Sequence, residues 1–431
     1  MPRVSPVQGD PDDAPPAMNP PIDHRPAVLA IFVLTYIGLA VGKIPGLKLS
    51  RTGFAVLGAI GMMIFSGRTP DEIVGMINWP TMLLLLGFFV ISAQLRLSGF
   101  YDWVAKAISE RLSAPTHFLL FLILVTAALS AFLNHDVVCY VLAPVVGLAL
   151  VKRNIDPVPF LIALAASSNI GAAATLVGNA QNMLIGTVAG LGFAHYMLWS
   201  AVPVAAGLAI TYGVTRLLTK PVPPKISTDD IEPDGPSYPL DRYHMVKGLV
   251  VLGATFALFF TSLPREIVVL VAAGIHLLSA KFKTEQILGL VDWQILVLFA
   301  SLFVVGGAFQ ATGYGDHLMG WMQGLRFDPS RPLNETLLTT VLSVLINNAP
   351  AVVLLIKILP VTHTSIAYVM AASNSFAGNV IMTASVANLI VVQQAKRQGI
   401  IISFGAFARI GFPIAALSLG VLVLWASLTG G

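Results

Sequence analysis

Charged residues and cysteine are scarce in this 431-residue chain. Charged side chains make up 11% of the sequence, and Cys139 is its single cysteine. One cysteine excludes an intramolecular disulfide and any metal site built from several cysteines. The phosphate-binding sequence GxxxxGK[ST] does not occur, so ATP hydrolysis by this chain is not supported. Energy for any active process must therefore come from an ion gradient or from a partner such as an ATPase subunit.

Hydrophobic residues are abundant, at 56% of the chain with a mean hydropathy of +0.81. This is more apolar surface than a soluble core could bury, so we predict a polytopic membrane protein in contact with a lipid bilayer. The net charge of +4 does not indicate a nucleic-acid partner, because the basic residues lie in short loops between apolar runs. Residues 1–26 are rich in Pro and Asp and lack the features of a secretory signal, which predicts a disordered tail.

A segment of the chain is repeated. Residues 69–102 and 283–316 align without a gap, and eight of their 34 positions are identical. Such a duplication in a very hydrophobic chain is typical of a secondary transporter built from two structural repeats. The predicted domains are a tail at 1–26, a first repeat at 27–217, a polar and Pro-rich linker at 218–245, and a second repeat at 246–431.

Apolar runs divide the chain into span candidates of two kinds. Eight are ordinary: 27–42, 52–66, 79–97, 193–215, 246–262, 265–280, 292–311 and 402–428. Four are interrupted by polar residues: 116–150, 158–187, 335–361 and 365–393. The first and third of the interrupted regions predict helical hairpins that enter and leave by one face, and the other two predict broken transmembrane helices. Each half then crosses the membrane five times, and an odd number inverts the second half.

The predicted fold class is therefore an all-α polytopic membrane protein. It has two inverted repeats of five transmembrane helices, each with a re-entrant helical hairpin and a broken transmembrane helix. Of the 25 Lys and Arg residues, eighteen fall on one face of this topology, which identifies that face as cytoplasmic. We expect both termini and the tail outside, the linker inside, and a location in a prokaryotic plasma (inner) membrane.

The hairpin centres are polar. Asn134, His135 and Asp136 occupy the first, and Asn347 and Asn348 occupy the second. An Asp in hydrocarbon costs about 2.5 to 3.5 kcal/mol, so Asp136 should face a wet cavity or a partner. The asparagines could instead cap broken helices. We predict a substrate or ion site at these tips, with His135 or Asp136 carrying a proton.

Polar residues also interrupt the broken helices, among small residues that allow close helix packing. Packing does not explain the asparagines, so we predict mid-membrane unwinding in which backbone groups and helix ends hold an ion. No nucleophile or metal-ligand set surrounds the polar residues, so we predict neither an enzyme nor a metal or cofactor site. The candidate residues are Asn169, Thr175, Asn179 and Asn182 in the first repeat, and Asn379, Thr383, Ser385 and Asn388 in the second.

Two of these segments resemble a known group of proteins. NIGAAATLVGNAQNMLIG and NSFAGNVIMTASVANLIVV, each after a polar-tipped hairpin, resemble the ion transporter superfamily, which includes arsenite permeases of the ArsB type, NhaD-type sodium/proton antiporters and di- and tricarboxylate carriers. SVLINNAPAVVLL resembles the second hairpin of the arsenite permeases and implies a site role for Asn347 and Asn348. His135 stands where the arsenite permeases have Asn in the first hairpin. The Ser-Asn-Thr signature of the dicarboxylate branch is absent.

The resemblance implies a secondary active transporter that works by alternating access. Arsenite at neutral pH is mostly an uncharged trihydroxide, which amides and hydroxyls could hold, and we expect no arginine in the site. We therefore expect proton-coupled efflux of arsenite or antimonite. A sodium- or proton-coupled carrier of another inorganic or organic anion, an NhaD-like antiporter and a passive channel remain alternatives, and a homodimer is an open possibility.

Overall fold

The computed structural model describes residues 24–42, 46, 48–110, 115–219, 238–324 and 327–429. All regular structure in these ranges is helical, which confirms the predicted fold class. The expectations for the tail before residue 24 and for most of the linker, residues 220–237, lie outside the described residues.

Within these ranges, ten α-helices lie in the first half of the chain and ten in the second, in the same order. The first ten are α1 (Arg25–Val41), α2 (Arg51–Phe65), α3 (Pro70–Gly75), α4 (Trp79–Leu97), α5 (Phe100–Glu110), α6 (Pro115–Phe132), α7 (His135–Lys152), α8 (Val158–Ala172), α9 (Ala180–Val188) and α10 (Phe193–Leu218). The second ten are α11 (Arg242–Leu258), α12 (Arg265–Leu277), α13 (Thr284–Leu288), α14 (Trp293–Gln310), α15 (Tyr314–Gly324), α16 (Pro332–Ile346), α17 (Asn348–Ile358), α18 (Thr364–Ala377), α19 (Val386–Arg397) and α20 (Phe404–Thr429), with a 3-10 helix at Met382–Ala384 before α19.

All eight ordinary span candidates correspond to helices, namely α1, α2, α4, α10, α11, α12, α14 and α20. Their starts follow local capping rules. Asn78 accepts a hydrogen bond from the backbone of Thr81 at 3.0 Å and so begins α4, while Asp292 accepts one from Ile295 at 3.1 Å and begins α14. These side chains satisfy amides that a helix cannot pair internally. The repeated segment thus begins both spans in the same way.

Gly99 and Gly313, identical in the two repeats, follow α4 and α14. Their φ angles are +73° and +78°, a conformation that side chains disfavour. At Gly99, a Cβ atom would also lie 2.6 Å from the carbonyl oxygen of Tyr238. The identity at this position therefore reflects a backbone turn that glycine permits.

The two repeats interleave. The helix α2 packs against α14, and the corresponding α12 packs against α4, so each repeat completes the scaffold of the other. The hairpin helix α6 packs on α8, as α16 packs on α18. The long helices α10 and α20 pack against each other. Most of these helix contacts thus have a counterpart when the repeats are exchanged, which is the arrangement of a duplicated transporter.

Six of the described helices are long and apolar enough to cross a membrane: α4, α6, α7, α10, α14 and α20. The helices α6 and α7 have 18 residues each, about 27 Å at 1.5 Å per residue, so length alone would let each of them cross. Their tip nevertheless meets the tip of α16 and α17 at one cavity, described below. The hairpins therefore end inside the protein.

Candidate functional site

The first broken helix stops at Ala172 and resumes at Ala180. Carbonyl groups at such a helix end have no partner within the helix and are costly to bury unpaired. Side chains supply those partners for four consecutive carbonyls. Asn182 donates to Ala172 at 3.3 Å and to Thr175 at 3.2 Å, Tyr196 donates to Ala173 at 2.9 Å, and Ser200 donates to Ala174 at 3.0 Å.

The second broken helix is held in the same way. Asn388 Nδ2 donates to the carbonyls of Gly378 at 2.6 Å and Ile381 at 3.3 Å. Asn388 and Asn182 are both fully buried. Each of the two matched asparagines therefore pairs with backbone carbonyls of its own broken helix.

Hydrogen bonds join the two broken helices to each other. Ser385 Oγ donates to Asn169 Oδ1 at 2.9 Å, and Asn179 Nδ2 donates to Ser375 Oγ at 2.9 Å. These bonds are equivalent under exchange of the repeats, with Asn and Ser interchanged. Asn169 Nδ2 also donates to Asn379 Oδ1 at 2.8 Å and to Asn388 Oδ1 at 3.0 Å. Asn169, Asn379, Ser385 and Asn388 thus form one buried amide cluster across the repeats, and the bond between Asn179 and Ser375 joins the repeats at a second point.

The two threonines predicted for the site lie differently. Thr175 is buried, donates its hydroxyl to the carbonyl of Ala131 and accepts a bond from the backbone of Val177 at 3.2 Å. Thr383 is half-buried in the 3-10 helix. Both lie at the breaks, and neither lines the cavity at the hairpin tips.

That cavity has a volume of about 560 Å³ and lies where the two hairpin tips meet. Apolar residues of the scaffold helices, including Phe89 and Phe299, form one wall. The polar and charged groups that line it are Asn134, His135, Asp136, Asn347 and Asn348 from the hairpins, Gln181 and Ser385 from the broken helices, and Ser50, Arg51, Thr52, Asp292 and Gln294 from the scaffold.

The first hairpin tip places a titratable pair on the cavity. His135 Nε2 lies 3.5 Å from Asp136 Oδ1, and both side chains are largely buried, at 9% and 13% exposure. Asn134 caps α7 by accepting a bond from the backbone of Asp136 at 2.9 Å, and it also lines the cavity. Asn134 therefore both caps a helix and lines the candidate site.

The second hairpin tip presents an unmatched donor and acceptor. Asn347 separates α16 from α17 with a φ of +77°, a conformation that costs free energy in a residue other than glycine. Within the described ranges, Asn347 Nδ2 and Asn348 Oδ1 are buried without a hydrogen-bond partner. Buried polar groups are normally paired, so this donor and acceptor are suited to a ligand.

Several polar residues of the cavity were not among the predicted site residues. Arg51, expected only as a cytoplasmic charge, begins α2 and lines the cavity, with Nε donating to the carbonyl of Leu39 at 3.3 Å. The cavity wall therefore includes a guanidinium that the predicted set of site residues lacked. Asp292, Gln294 and Gln181 also line the cavity. The capping position of Asp292, equivalent to Asn78, was the one signal that could have located it.

A second cavity of about 410 Å³ adjoins the first and shares Asn134, Asp136 and Asp292 with it. It extends towards Arg96, whose guanidinium lies 4.6 Å from the ring centre of Tyr140. This second cavity thus also borders the first hairpin tip, and the Arg96 guanidinium lies on its wall.

Comparison with known proteins identifies the family to which this chain belongs. The chain belongs to the citrate transporter family, which it matches over residues 32–374. It is 29% identical to an uncharacterized transporter of Mycobacterium tuberculosis, with 92% of this chain and 97% of the relative covered. These matches confirm the resemblance to the ion transporter superfamily. The chain is an integral membrane transporter.

Shorter matches link it to relatives with named roles. It is 32% identical to the putative transporter arsB of Dictyostelium discoideum, over 42% of this chain and 32% of that protein. It is also 32% identical to the silicon efflux transporter LSI3 of Oryza sativa, over 39% of this chain and 35% of that protein. Among solved structures, MtrF of Neisseria gonorrhoeae, titled an antimetabolite efflux pump, superposes with a TM-score of 0.62 at 13% identity, covering 96% of this chain and 95% of MtrF. That likeness concerns the fold.

Proposed function

We propose that this chain exports arsenite or antimonite in exchange for protons, as a protein of a prokaryotic plasma membrane. The observation that carries this proposal is the unmatched pair at the second hairpin tip. Asn347 Nδ2 can donate one hydrogen bond and Asn348 Oδ1 can accept one. A hydroxyl group does both, so an uncharged hydroxide such as arsenite matches these neighbouring groups.

The charges on the cavity favour a ligand without a large net charge. Two carboxylates, Asp136 and Asp292, line it, together with one guanidinium, Arg51. A multiply charged anion would meet repulsion from both carboxylates, whereas a neutral hydroxide would not. The relatives support this class: one is named arsB, and another is named for silicon efflux, an element present in neutral water as an uncharged hydroxide.

Proton coupling is assigned to His135 and Asp136. His135 Nε2 and Asp136 Oδ1 lie 3.5 Å apart without a hydrogen bond between them, and both side chains can carry a proton on the wall of the cavity that would hold the substrate. Loss of that proton would leave Asp136 charged beside the substrate, and binding of the proton would neutralise it. Proton and substrate would then bind at the same cavity, and an exchanger requires that they occupy it in turn.

The predicted orientation makes the described conformation inward-facing. Gly42, Ser50 and Arg51 on the cavity wall lie beside the loop between α1 and α2, which the charge pattern assigns to the cytoplasm. Arg96, at the end of the adjoining cavity, is assigned to the same side. Movement of the hairpins and broken helices against the scaffold would close this side and open the other.

Arg51 supports a second candidate, transport of a carboxylate. A guanidinium on the cavity wall can bind a carboxylate through two parallel hydrogen bonds. The chain also belongs to a family named for citrate transport. If a carboxylate is the substrate, Asp136 and Asp292 would hold the proton or sodium ion that accompanies the anion.

Flux measurements on the full chain in liposomes test these alternatives. Liposomes with an acidic interior should accumulate arsenite above the external concentration, and an imposed sodium gradient alone should not drive it. Arg51→Gln should reduce citrate uptake and leave arsenite uptake largely intact. Accumulation of citrate without arsenite would establish the carboxylate reading. Arsenite that equilibrates without accumulation would indicate a channel.

A further inference from the structure

The hairpin helix α16 carries a buried polar stripe. Glu335, Thr339, Ser343 and Asn347 recur every four residues, so they share one face of the helix and its tip. Their exposed fractions are 1%, 0%, 0% and 4%, respectively. The stripe spans about 18 Å along the helix axis, from its first turn to the cavity. It approaches the cavity from the end of the hairpin opposite the tip.

The corresponding helix of the first repeat lacks the carboxyl group. Its residues at the same positions relative to the hairpin tip are otherwise identical or closely similar in type. The pairs, taken from the tip outward, are Asn134 with Asn347, Ser130 with Ser343, Thr126 with Thr339, and Leu122 with Glu335. A carboxyl group therefore replaces a leucine at one end of an otherwise duplicated stripe.

The stripe has few internal partners among the described residues. Glu335 Oε1 and Thr339 Oγ1 are buried without a hydrogen-bond partner. Ser343 Oγ donates to Asn374 Oδ1 at 3.0 Å, and Asn374 Nδ2 has no partner. An isolated buried carboxylate is very costly, so Glu335 carries a proton in this conformation.

The surroundings of Glu335 offer little compensation for a buried charge. One hydrogen bond, from the backbone of Met370 in α18, reaches the carboxyl group and stabilises its charged form. The titratable side chains on the elements packed against α16 are Arg25 and Tyr36 of α1, Lys357 of α17, Tyr368 of α18 and Arg409 of α20.

We propose that Glu335 is a second proton-binding site for transport, connected to the cavity through Thr339, Ser343 and Asn374. This inference rests on the proton-coupled function proposed above. Neighbouring hydroxyls on the stripe are about 6 Å apart along the axis, a gap that one water molecule bridges. A proton leaving the Glu335 carboxyl group passes to water and hydroxyl oxygens, and the carboxylate left behind takes up a new proton. Protons thus enter by a path separate from the substrate's.

Infrared difference spectroscopy of the reconstituted full chain tests the site directly. Changing the pH should alter the carbonyl bands of protonated carboxylic acids in wild-type protein, and Glu335→Gln should remove a component of that change that Asp136→Asn leaves in place. Thr126→Val, which removes the equivalent hydroxyl in the first repeat, should leave this component unchanged. A pH response that is the same in Glu335→Gln as in the wild-type protein would overturn the proposal. This readout needs no substrate and stands even if arsenite is not transported.

Arsenite flux into liposomes is the second test of the role of Glu335. Glu335→Gln and Thr339→Val should lose accumulation driven by an acidic interior, whereas Thr339→Ser, which keeps the hydroxyl, and Thr126→Val should retain it. Each variant must elute as the wild-type protein does on gel filtration, which separates misfolding from loss of the proton path. Undiminished accumulation by Glu335→Gln would refute a role in coupling. Failure of the wild-type protein to accumulate arsenite would count against the proposed substrate, while the infrared result would still decide on Glu335.

Discussion

Asn182 and Asn388 make equivalent hydrogen bonds in the two repeats. Asn182 donates its side-chain amide to the carbonyls of Ala172 and Thr175, and Asn388 donates to the two corresponding carbonyls of the second broken helix. Each asparagine thereby stabilises an unwound segment inside the membrane. The recurrence of the same bonds means that the break itself was duplicated along with the helices.

Removal of one of these amides should destabilise the protein. Asn388→Ala leaves two buried carbonyls without their partner, and the expected cost is about 1 to 3 kcal/mol. Thermal unfolding in detergent measures the effect as a lower transition midpoint. Gln181→Ala is the matched control, because Gln181 lies on the cavity wall and should shift stability by about 0.5 kcal/mol or less. Equal midpoints for both variants would contradict the proposed role of Asn388.

The bond between Asn179 and Ser375 should couple the two repeats energetically. A double-mutant cycle with Asn179→Ala and Ser375→Ala should give an interaction free energy of about 0.5 to 3 kcal/mol, since the two side chains are buried and in direct contact. The pair Asn179→Ala and Thr383→Ala, which are not hydrogen-bonded to each other, should be additive. Additivity of the first pair would mean that the contact does not join the repeats.

Asp136→Asn should abolish arsenite accumulation driven by a pH gradient. The amide has the shape of the carboxyl group but cannot gain or lose a proton at the cavity. Transport assays in liposomes, normalised to the amount of inserted protein, measure the loss. Asp316→Asn changes an exposed carboxylate of α15 and is the control. Full activity in Asp136→Asn would eliminate the proposed proton role.

Two substitutions at Asn347 should separate backbone strain from ligand contact. Glycine adopts the φ of +77° freely, whereas alanine should destabilise the protein by about 1 to 3 kcal/mol. Both remove the unpaired amide donor, so both should raise the arsenite KM about fivefold, the equivalent of one hydrogen bond of about 1 kcal/mol. The two readouts are the thermal midpoint and the KM. A normal KM in Asn347→Gly would show that this donor does not contact the substrate.

Asp241 should contribute a pH-dependent part of the stability. The backbone N–H of His244 and then the Lys281 ammonium hold the pKa of its carboxyl group well below the ordinary value of 3.8. A lowered pKa in the folded state stabilises the protein above about pH 4, and this contribution is lost as the pH falls through the lowered pKa. Unfolding midpoints between pH 7 and the acid limit should therefore fall less steeply for Asp241→Asn. Lys281→Ala should weaken the same dependence, and identical pH profiles for all three proteins would contradict it.

Hydropathy was sufficient to locate the spans. Each of the eight ordinary candidates is a helix, because a span must pair its backbone internally and present apolar side chains to lipid. The polar interruptions also marked both hairpins and both breaks. Composition carries this information because hydrocarbon tolerates so few polar groups, and each one that occurs is therefore conspicuous.

The sequence did not show the direction in which each polar side chain points. Asn169 was a candidate ligand, and the structure buries it against Asn388, 219 residues away. Arg51 was counted as a loop charge, and the structure places it on the cavity wall. Whether an amide meets substrate or another amide depends on which helix lies opposite, and helix periodicity does not encode that neighbour.

The sequence by itself determined the class of protein, the duplication and the polar positions, because membrane insertion imposes length and hydropathy on every span. The tertiary structure decided how those positions divide between the buried amide cluster and the cavity. It also buried the face that carries Glu335 and Thr339, whose four-residue spacing alone does not show what that face packs against. Hydrogen bonds between residues far apart in the chain exist only once the two repeats have packed, and packing therefore selects which polar groups remain open to a ligand.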